Sequence, residues 1–277
     1  MKVMMISDFT IKEVPHGGSE WVNQVIIDKF NIPFEYSRNI KDFDIDTFYI
    51  ISNISLMNKQ LISEIKNFNY MIIENDYKIC ESRHPWRYTN NIIPINERIN
   101  YDLYKNSKAV LVQTTDHMNV FLKNDVVANF VNLKSSIWSD NDLEMLENIL
   151  KTKKEKNNKY AIYNTSNWIK NTKGAIDFCL KNKYEFELIP NCNSRYEFLD
   201  RLSNCSKLIF LPIARETFCR LVVEARCLEL PVITTKNYGA VLEDWFNKYH
   251  GNELIDFLRY NTSLNLGLID SIIKENT

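Results

Sequence analysis

Two glutamates in the second half of the chain stand at a spacing that suits one extended ligand. The segment reads LPIARETFCRLVVEARCLELPVITTKNYGA, which predicts a strand, a loop carrying Glu216 and a helix carrying Glu224. With Thr217 as the expected N-cap, Glu224 lies two turns into the helix, and eight helical residues span about 12 Å. Carboxylates so placed can hold two parts of a ligand. A helix-surface role for Glu224 and a first-turn role for Glu216 are the alternatives.

A pair of glycines follows the first predicted strand. The sequence there is PHGGSEWVNQ, in which Gly17 and Gly18 precede a helix expected to open at Ser19. Glycines let a backbone approach a ligand closely, and the free N–H groups of a helix start favour an anion. The pattern is not GxGxxG, which weakens a nicotinamide or flavin interpretation, and a plain tight turn is the alternative. His16, beside this turn, is expected near the site.

A third polar group follows the predicted strand YMIIEN. Asn75 and Asp76 stand at its carboxyl end, where Asp76 is expected either to bind hydroxyl groups or to cap a turn. The next loop, CESRHPWRYTNN, interleaves cations with aromatic rings, which suits a phosphate-bearing or base-stacking acceptor. The alternative is a loop whose tryptophan packs on the domain while its arginines reach into solvent. The candidate residues of this loop are Arg83, His84, Trp86, Arg87 and Tyr88.

Alternating strands and helices must position these candidates. Short runs rich in valine, isoleucine, phenylalanine and tyrosine alternate with stretches of helical spacing such as SEWVNQVIIDKF and FCRLVVEARCL. Runs that are apolar on both faces are typical of parallel strands covered by helices on each side, so the predicted fold is α/β and doubly wound. The predicted strands begin at or near Lys2, Thr47, Tyr70, Ala109, Tyr160, Phe186, Lys207 and Pro231.

The stretch KTKKEKNNK, from Lys151 to Lys159, has no apolar residue and is the best candidate for a linker. It predicts two Rossmann-like domains, residues 1–155 and residues 156–277. Ligands of such sheets bind at the carboxyl ends of the strands, so the cleft between the two halves is the expected site.

The composition limits what the chain can do. Its 277 residues carry 34 Lys+Arg against 35 Asp+Glu, a net charge of -1, so contact with nucleic acid would need a local patch. The six cysteines form no CxxC pair, which argues against structural zinc or a redox dithiol and indicates reduced thiols. No apolar run approaches the roughly 20 residues needed to cross a bilayer and no signal peptide is recognised, so a cytoplasmic location is expected.

Glu216 and Glu224, with the Glu-Ala and Pro-Val-Ile that follow, resemble the E-x7-E donor site of retaining glycosyltransferases of the GT-B fold, the family-4 type. Gly17, Gly18 and Glu20 resemble the N-terminal Gly-Gly-x-Glu loop of the same family. The motifs of both halves have the order and the spacing that the family shows, so the resemblance covers nearly the whole chain. It implies two Rossmann-like domains facing a central cleft, with the acceptor-side domain first and the nucleotide-sugar domain second.

The resemblance implies a role for each donor-site residue. Glu224 would hold the ribose hydroxyls of a nucleotide-diphosphate sugar, with a UDP-sugar as the expected donor, and Glu216 would face the transferred sugar. The backbone amides of Thr217, Phe218 and Cys219 would meet the diphosphate. Thr217 and Cys219 stand where the family has glycines, so the loop is expected to be less open. The resemblance implies no cofactor and no metal ion.

Lys173 and Gly174 match the family's Lys-Gly at a helix start. The arginine that the family carries a few residues earlier is missing, since Ser166 and Asn167 stand near its place, and Lys170 is the nearby substitute. The two lysines would stabilise the negative charge that grows on the departing diphosphate. Solvated surface charges are the alternative. The catalytic candidates are Glu216, Lys173 and Asp76.

The acceptor stays open. The stretches ETFCRLVVEA and ENDYKICESRHP resemble those of bacteriophage glycosyltransferases, which raises a hydroxymethylated pyrimidine in DNA beside glycan, lipid and protein acceptors. Such a base would have to be flipped out to be reached. Asn75 stands where the family often has a histidine, so no imidazole role is carried over. A nucleotide-sugar epimerase and a non-catalytic nucleotide-sugar-binding module are the alternatives to a transferase.

The sequence also contains the DxD pattern of metal-dependent glycosyltransferases, at Asp42, Asp44 and Asp46. These carboxylates precede a predicted strand, which is the wrong end for a catalytic metal, so an entry turn is predicted.

Overall fold

The computed structural model describes residues 2–12, 17–152, 155–192, 194–236 and 238–277. The chain forms two compact units, one made of Met1–Trp138 with Asn261–Thr277 and the other of Ser139–Tyr260. This division differs from the boundary predicted at residue 155, because the chain changes unit before the polar linker candidate and the last segment belongs to the first unit.

The helix before the linker candidate explains the difference. This helix, α5 (Asp140–Lys151), begins with Ser139 as its N-cap and buries one apolar face, which includes Leu143 and Leu146. It packs against α7 (Arg195–Ser203) and α8 (Arg220–Cys227), so it is part of the second unit. The sequence pattern of α5 predicts a helix, but it does not indicate which unit the helix joins.

The first unit contains six parallel strands. They are β1 (Lys2–Ser7), β2 (Phe34–Tyr36), β3 (Thr47–Ile51), β4 (Asn69–Ile73), β5 (Val110–Val112) and β6 (Phe130–Asn132). They form one sheet in the order β2-β1-β3-β4-β5-β6. In this register Met5 is aligned with Phe34 on one side and with Ile50 on the other.

Alternate residues of this sheet enter two different apolar clusters. Ile51 and Ile72 belong to one cluster, whereas Ile50 and Met71 belong to the other. Both faces are therefore buried, as the predicted doubly wound fold requires. Helices of this unit cover the two faces, together with residues 261–276 of the long helix α10 (Gly251–Asn276). These helices are α1 (Gly18–Phe30), α2 (Lys59–Glu64), α3 (Tyr101–Lys105) and α4 (Thr115–Lys123).

The second unit contains four parallel strands in the order β10-β9-β7-β8. The strands are β7 (Tyr160–Tyr163), β8 (Phe186–Ile189), β9 (Lys207–Phe210) and β10 (Val232–Thr234). The further helices here are α6 (Thr172–Lys181) and α9 (Asp244–Lys248), and α10 begins in this unit. The centre of the sheet is apolar, with Ile162 and Ile209 packed on Ala175 and Cys179 of α6.

The α/β prediction is confirmed, and each of the eight predicted strands is present. β2 and β6 were not predicted, because each includes a residue that disfavours strands, Glu35 in one and Asn132 in the other, whereas the equally short β5 and β10 consist of residues that favour strands. Within the described part of the chain, no helix combines the length and the apolar character that crossing a bilayer requires.

Candidate functional site

The first glutamate lies at the carboxyl end of the second sheet. Glu216 is in the loop after β9, and its carbonyl accepts a hydrogen bond from the Gly239 amide at 3.0 Å. Its carboxylate Oε2 accepts a hydrogen bond from Lys170 Nζ at 2.8 Å, whereas Oε1 is buried and accepts none. Lys170 ends a short 3-10 turn, Trp168–Lys170, after β7. The fold thus brings together two predicted donor-site residues that are far apart in sequence.

Lys170 is held as a cation in this position. Burial alone would lower the pKa of its ammonium group, but the Glu216 carboxylate outweighs burial and raises that pKa. The ammonium nitrogen also lies 5.9 Å from the centre of the Phe210 ring. The charge is therefore present at neutral pH and is placed where strands β7 and β9 end, which is where ligands of parallel sheets bind.

The start of α8 differs from the prediction. Cys219 is the N-cap, with a left-handed φ of 75° that keeps it out of the helix, so the predicted cap at Thr217 is wrong. Glu224 consequently lies about one turn into the helix, not two. The family resemblance places a glycine at Cys219, and a left-handed φ is the conformation that favours glycine. Burial raises the pKa of the Cys219 thiol, so this sulfur stays protonated, and the side chains of Thr217 and Phe218 are also buried.

The second glutamate is buried among cations. Glu224 Oε1 contacts Arg195 Nη2 of α7, and it lies 3.7 Å from Arg220 Nε of its own helix. Arg220 is itself bound to Asp142 of α5, with 3.0 Å between Nη2 and Oδ2. Glu224 Oε2 is buried and has no hydrogen-bond partner. None of Arg195, Arg220 and Asp142 was predicted from the sequence.

The two glutamates share one arrangement. In each, one carboxylate oxygen is bound by a cation of the protein, and the other is a buried acceptor with no donor. Buried polar atoms are nearly always hydrogen-bonded in folded proteins, because an unpaired acceptor has lost water without a replacement. Glu216 Oε1 and Glu224 Oε2 are therefore positions at which hydroxyl groups of a ligand would complete the bonding.

Lys173 has a different environment from Lys170. It is exposed in the first turn of α6 and lines an open groove of about 500 Å³ with Trp168, Thr165 and neighbouring residues. Asn171 caps this helix by accepting a hydrogen bond from the Gly174 amide at 3.1 Å. A Cβ at Gly174 would lie 2.4 Å from the Asn171 amide nitrogen, which explains the glycine in the Lys-Gly pair. The catalytic assignment of Lys173 stays a prediction.

The Gly-Gly turn presents a carboxylate. Gly17 is the N-cap of α1, and its amide donates to Glu20 Oε2 at 2.5 Å. Ser19 Oγ donates to Glu20 Oε1 at 2.7 Å. The Gly17 amide is therefore used within the protein, and the buried negative charge of Glu20 disfavours a phosphate at this helix start. α1 begins at Gly18, one residue before the prediction, and His16 lies outside the described residues.

A network of alternating charges follows the carboxyl end of β4. Lys78 Nζ lies 2.5 Å from Glu74 Oε1 and 3.3 Å from Asp76 Oδ1. Tyr104 donates its hydroxyl to Glu74 Oε2 at 2.5 Å, and Arg83 Nη1 lies 2.6 Å from Asp76 Oδ2. Two carboxyl groups thus face two cations in this network.

Asp76 is the more accessible carboxylate of this network, with a side chain 29% exposed compared with 0% for Glu74. Burial would raise its pKa, but the ion pairs with Lys78 and Arg83 outweigh burial and lower the pKa to about 2. It is therefore ionised at neutral pH and accepts hydrogen bonds, whereas a group so acidic is a weak general base. Beneath it, burial lowers the pKa of His117 to about 4, and the neutral ring contacts the Asp76 carbonyl at 2.8 Å.

The predicted acceptor loop is divided between several contacts. Arg83, at a left-handed φ of 53°, reaches Asp76 and also lies 3.4 Å from Asn53 Oδ1. Arg87 is exposed, with its guanidinium 6.0 Å from the Trp86 ring. The remaining predicted residues turn elsewhere: Tyr88 donates its hydroxyl to Glu97, Asn75 donates to Ser52 at 3.0 Å, and the His84 ring lies 5.8 Å from Trp86.

The predicted entry turn before β3 is confirmed. Asp44 Oδ1 accepts a hydrogen bond from the Asp46 amide at 2.9 Å, and Asp44 Oδ2 accepts one from the Thr47 hydroxyl at 3.2 Å. Both oxygens thus close the turn. Among the described residues, no cluster of histidine, cysteine, aspartate and glutamate could hold a metal ion.

One sequence signal could have identified Arg195. It stands just after the predicted strand FELIP, and the rule that ligands bind at the carboxyl ends of parallel strands applies to that strand as well. Arg220 and Asp142 carry no such signal, because their pairing joins residues far apart in sequence.

No protein-family model matches the sequence, and no curated protein matches it. Solved structures do resemble this chain. HepE from Anabaena, in complex with UDP, has a TM-score of 0.52 at 12% identity, with 99% of each chain covered. A glycosyltransferase from Rickettsia africae has a TM-score of 0.51 at 11% identity, again with 99% of each chain covered.

An Escherichia coli structure described as trehalose-6-phosphate bound with UDP-2-fluoro glucose has a TM-score of 0.53 at 10% identity, with 99% of this chain and 96% of that chain covered. At such low identities the similarity establishes the fold alone. The chain has the GT-B fold of these glycosyltransferases, so the predicted fold class is confirmed.

Proposed function

We propose that this chain is a retaining glycosyltransferase that moves a sugar from a UDP-sugar to a hydroxyl group of an acceptor. The observation that carries the proposal is the pair of buried, half-satisfied carboxylates, Glu216 and Glu224, at the spacing of a donor-site motif. The GT-B fold supports it, and so does the presence of UDP in the similar HepE structure.

Each donor-site group then has a distinct task. Glu224 Oε2 accepts a ribose hydroxyl, and Glu216 Oε1 accepts a hydroxyl of the transferred sugar, so both unpaired acceptors gain donors. Backbone amides of Thr217, Phe218 and Cys219, before α8, bind the diphosphate. Lys170 supplies the nearby positive charge, which the Glu216 carboxylate holds in place.

The reaction needs little proton transfer from the protein. The bond between the anomeric carbon and the β-phosphate oxygen breaks, and its electron pair leaves with UDP. The acceptor oxygen bonds to the anomeric carbon on the face that UDP vacates, and its proton passes to the departing phosphate oxygen. Lys170 and Lys173 lower the barrier by stabilising the charge that develops on UDP. Asp76, ionised and weakly basic, orients the acceptor hydroxyl.

The charge pattern of the first unit favours a neutral hydroxyl acceptor over DNA. Arg83 is paired with Asp76, so it is not available to a phosphate without the loss of an ion pair. Arg87 is the exposed cation of that loop. Binding of DNA through Arg83 and Arg87 together would give a log–log salt slope of about −2, since each phosphate contact contributes about 0.9. We therefore propose a saccharide acceptor, with a hydroxymethylated pyrimidine in DNA as the competing one.

The proposal predicts that UDP is released from a UDP-sugar only when a suitable acceptor is present. A panel of UDP-sugars is screened by thermal shift, and UDP release is then measured with neutral saccharides and with DNA containing hydroxymethylated pyrimidines, at several salt concentrations. We expect transfer to a saccharide with little salt dependence, and a product of retained anomeric configuration by NMR.

Other results of this screen would change the assignment. Transfer to DNA with a log–log salt slope of about −2 would replace the saccharide acceptor and leave the transferase assignment intact. Conversion of the UDP-sugar without an acceptor would indicate an epimerase, and the absence of nucleotide binding would contradict the donor site itself.

A further inference from the structure

Arg195 is the most accessible member of the charge cluster around Glu224. Its side chain is 28% exposed, compared with 2% for Glu224, and Arg220 and Asp142 are also buried. It is the first residue of α7, at a helix start capped by Ser194, which accepts a hydrogen bond from the Glu197 amide at 3.1 Å. The backbone that carries Arg195 is therefore fixed by secondary structure.

The cations around Glu224 act on one oxygen. Arg195 Nη2 contacts Oε1, and Arg220 Nε lies 3.7 Å from the same oxygen. Arg220 is too distant for a normal hydrogen bond, and it is bound to Asp142 at 3.0 Å. Arg195 is thus the residue whose direct contact sets the rotation of the carboxylate. That rotation leaves Oε2 as a buried acceptor without a donor.

We propose that Arg195 is a positioning residue for nucleotide recognition: by binding Glu224 Oε1 it presents Oε2 to a ribose hydroxyl of the donor. The inference rests on the proposed function, because it assigns Glu224 to the ribose. The remaining N–H groups of the Arg195 guanidinium are donors that can also meet oxygen atoms of the nucleoside.

A fixed carboxylate makes the site selective for ribose. A nucleotide that lacks the hydroxyl bound by Oε2 leaves this buried acceptor unpaired, which weakens binding by about 5-fold to 150-fold. Without Arg195 the Glu224 carboxylate is free to rotate, and it has another cation, Arg220, to turn toward. An Arg195→Ala variant should therefore bind UDP more weakly and lose the preference for a nucleotide that carries the full ribose.

The test is calorimetric titration of UDP, 2′-deoxy-UDP and 3′-deoxy-UDP into the wild-type protein and into Arg195→Ala. The wild type should bind UDP at least about 5-fold more tightly than one of the deoxynucleotides. In Arg195→Ala the affinity for UDP should fall about tenfold. The affinity ratio, defined as the affinity for UDP divided by the affinity for that deoxynucleotide, should move toward one. Arg195→Lys, which keeps a cation, should have an affinity ratio between those of Arg195→Ala and the wild type.

Arg201→Ala is the matched control. Arg201 is an arginine of the same helix whose guanidinium is bound to Glu187 at 2.8 Å, so its loss removes a similar ion pair away from Glu224. The Arg201→Ala variant should have the same affinity ratio as the wild type. Circular dichroism reports the folding of each variant, and Arg195→Gln serves in place of the alanine variant if the latter does not fold.

The outcomes separate the two proposals. If the wild type binds UDP selectively and folded Arg195→Ala keeps the same ratio, this inference is wrong and the donor site stands. If the wild type binds no uridine nucleotide, the proposed function is wrong and this inference falls with it.

Discussion

Replacing Lys170 with alanine is expected to lower kcat for UDP release by about 10²-fold to 10³-fold, the usual effect of removing one group that stabilises charge in a transition state. The ammonium is held 2.8 Å from Glu216 at the carboxyl end of the sheet, in a place where the departing diphosphate would develop its charge. Steady-state kinetics with the best UDP-sugar and acceptor measure the change. kcat should fall by a larger factor than KM rises.

Lys173→Ala is the matched comparison. This lysine is exposed, and it is the one that the Lys-Gly motif selects as catalytic. We expect a smaller loss of kcat for Lys173→Ala, and Lys170→Arg should retain more activity than Lys170→Ala. An equal or greater loss at Lys173 would return the catalytic role to the residue that the motif selects. Normal kcat with a raised KM at Lys170 would limit this residue to ground-state binding.

Replacing Lys78 with methionine is expected to lower the free energy of unfolding by about 3–5 kcal/mol, the cost of removing one partner of a buried ion pair. The lysine side chain is 1% exposed and that of Glu74 is 0% exposed, so the carboxylate left behind has no access to water. Burial already raises the pKa of Glu74 to about 7, and loss of the cation favours its protonated form further. Urea denaturation at pH 7 measures the change.

Lys59→Met is the control for this substitution. Lys59 also binds a glutamate, Glu81, at 2.8 Å, but both side chains are exposed. Exposed ion pairs contribute little, so this variant should unfold at the same urea concentration as the wild type. Equal stability of the Lys78 and Lys59 variants would mean that the buried network is not needed for the fold.

The parts of the fold that were predictable are those with long local patterns. β1, β3 and β4 are long apolar runs, and α5 has a clear N-cap and an apolar face, so their types follow from short stretches of sequence. The two strands that were not predicted, β2 and β6, and the return of residues 261–277 to the first unit depend on packing between distant segments. No local pattern specifies that packing.

The candidate site shows the same division. Glu216 and Glu224 could be chosen from one segment, because their spacing within it carries the signal. Their pairing with Lys170 and Arg195 could not be predicted. Lys170 could be chosen from its own segment and Arg195 follows a predicted strand, but both belong to other strand–helix units and meet the glutamates only in the folded sheet. The helix boundary at Cys219 was also missed, because threonine is the better N-cap by residue type and cysteine is not a residue that favours a left-handed φ.

Calorimetric titration of UDP into the wild-type protein and into Glu224→Ala measures whether the paired glutamates form a donor site. Charge-assisted hydrogen bonds contribute about 1.5–3 kcal/mol each, so loss of the carboxylate should weaken UDP binding at least tenfold in a folded variant. Glu253→Ala, an exposed glutamate at the start of α10, should bind as the wild type does. Unchanged affinity in folded Glu224→Ala, or no UDP binding by the wild type, would contradict the donor site.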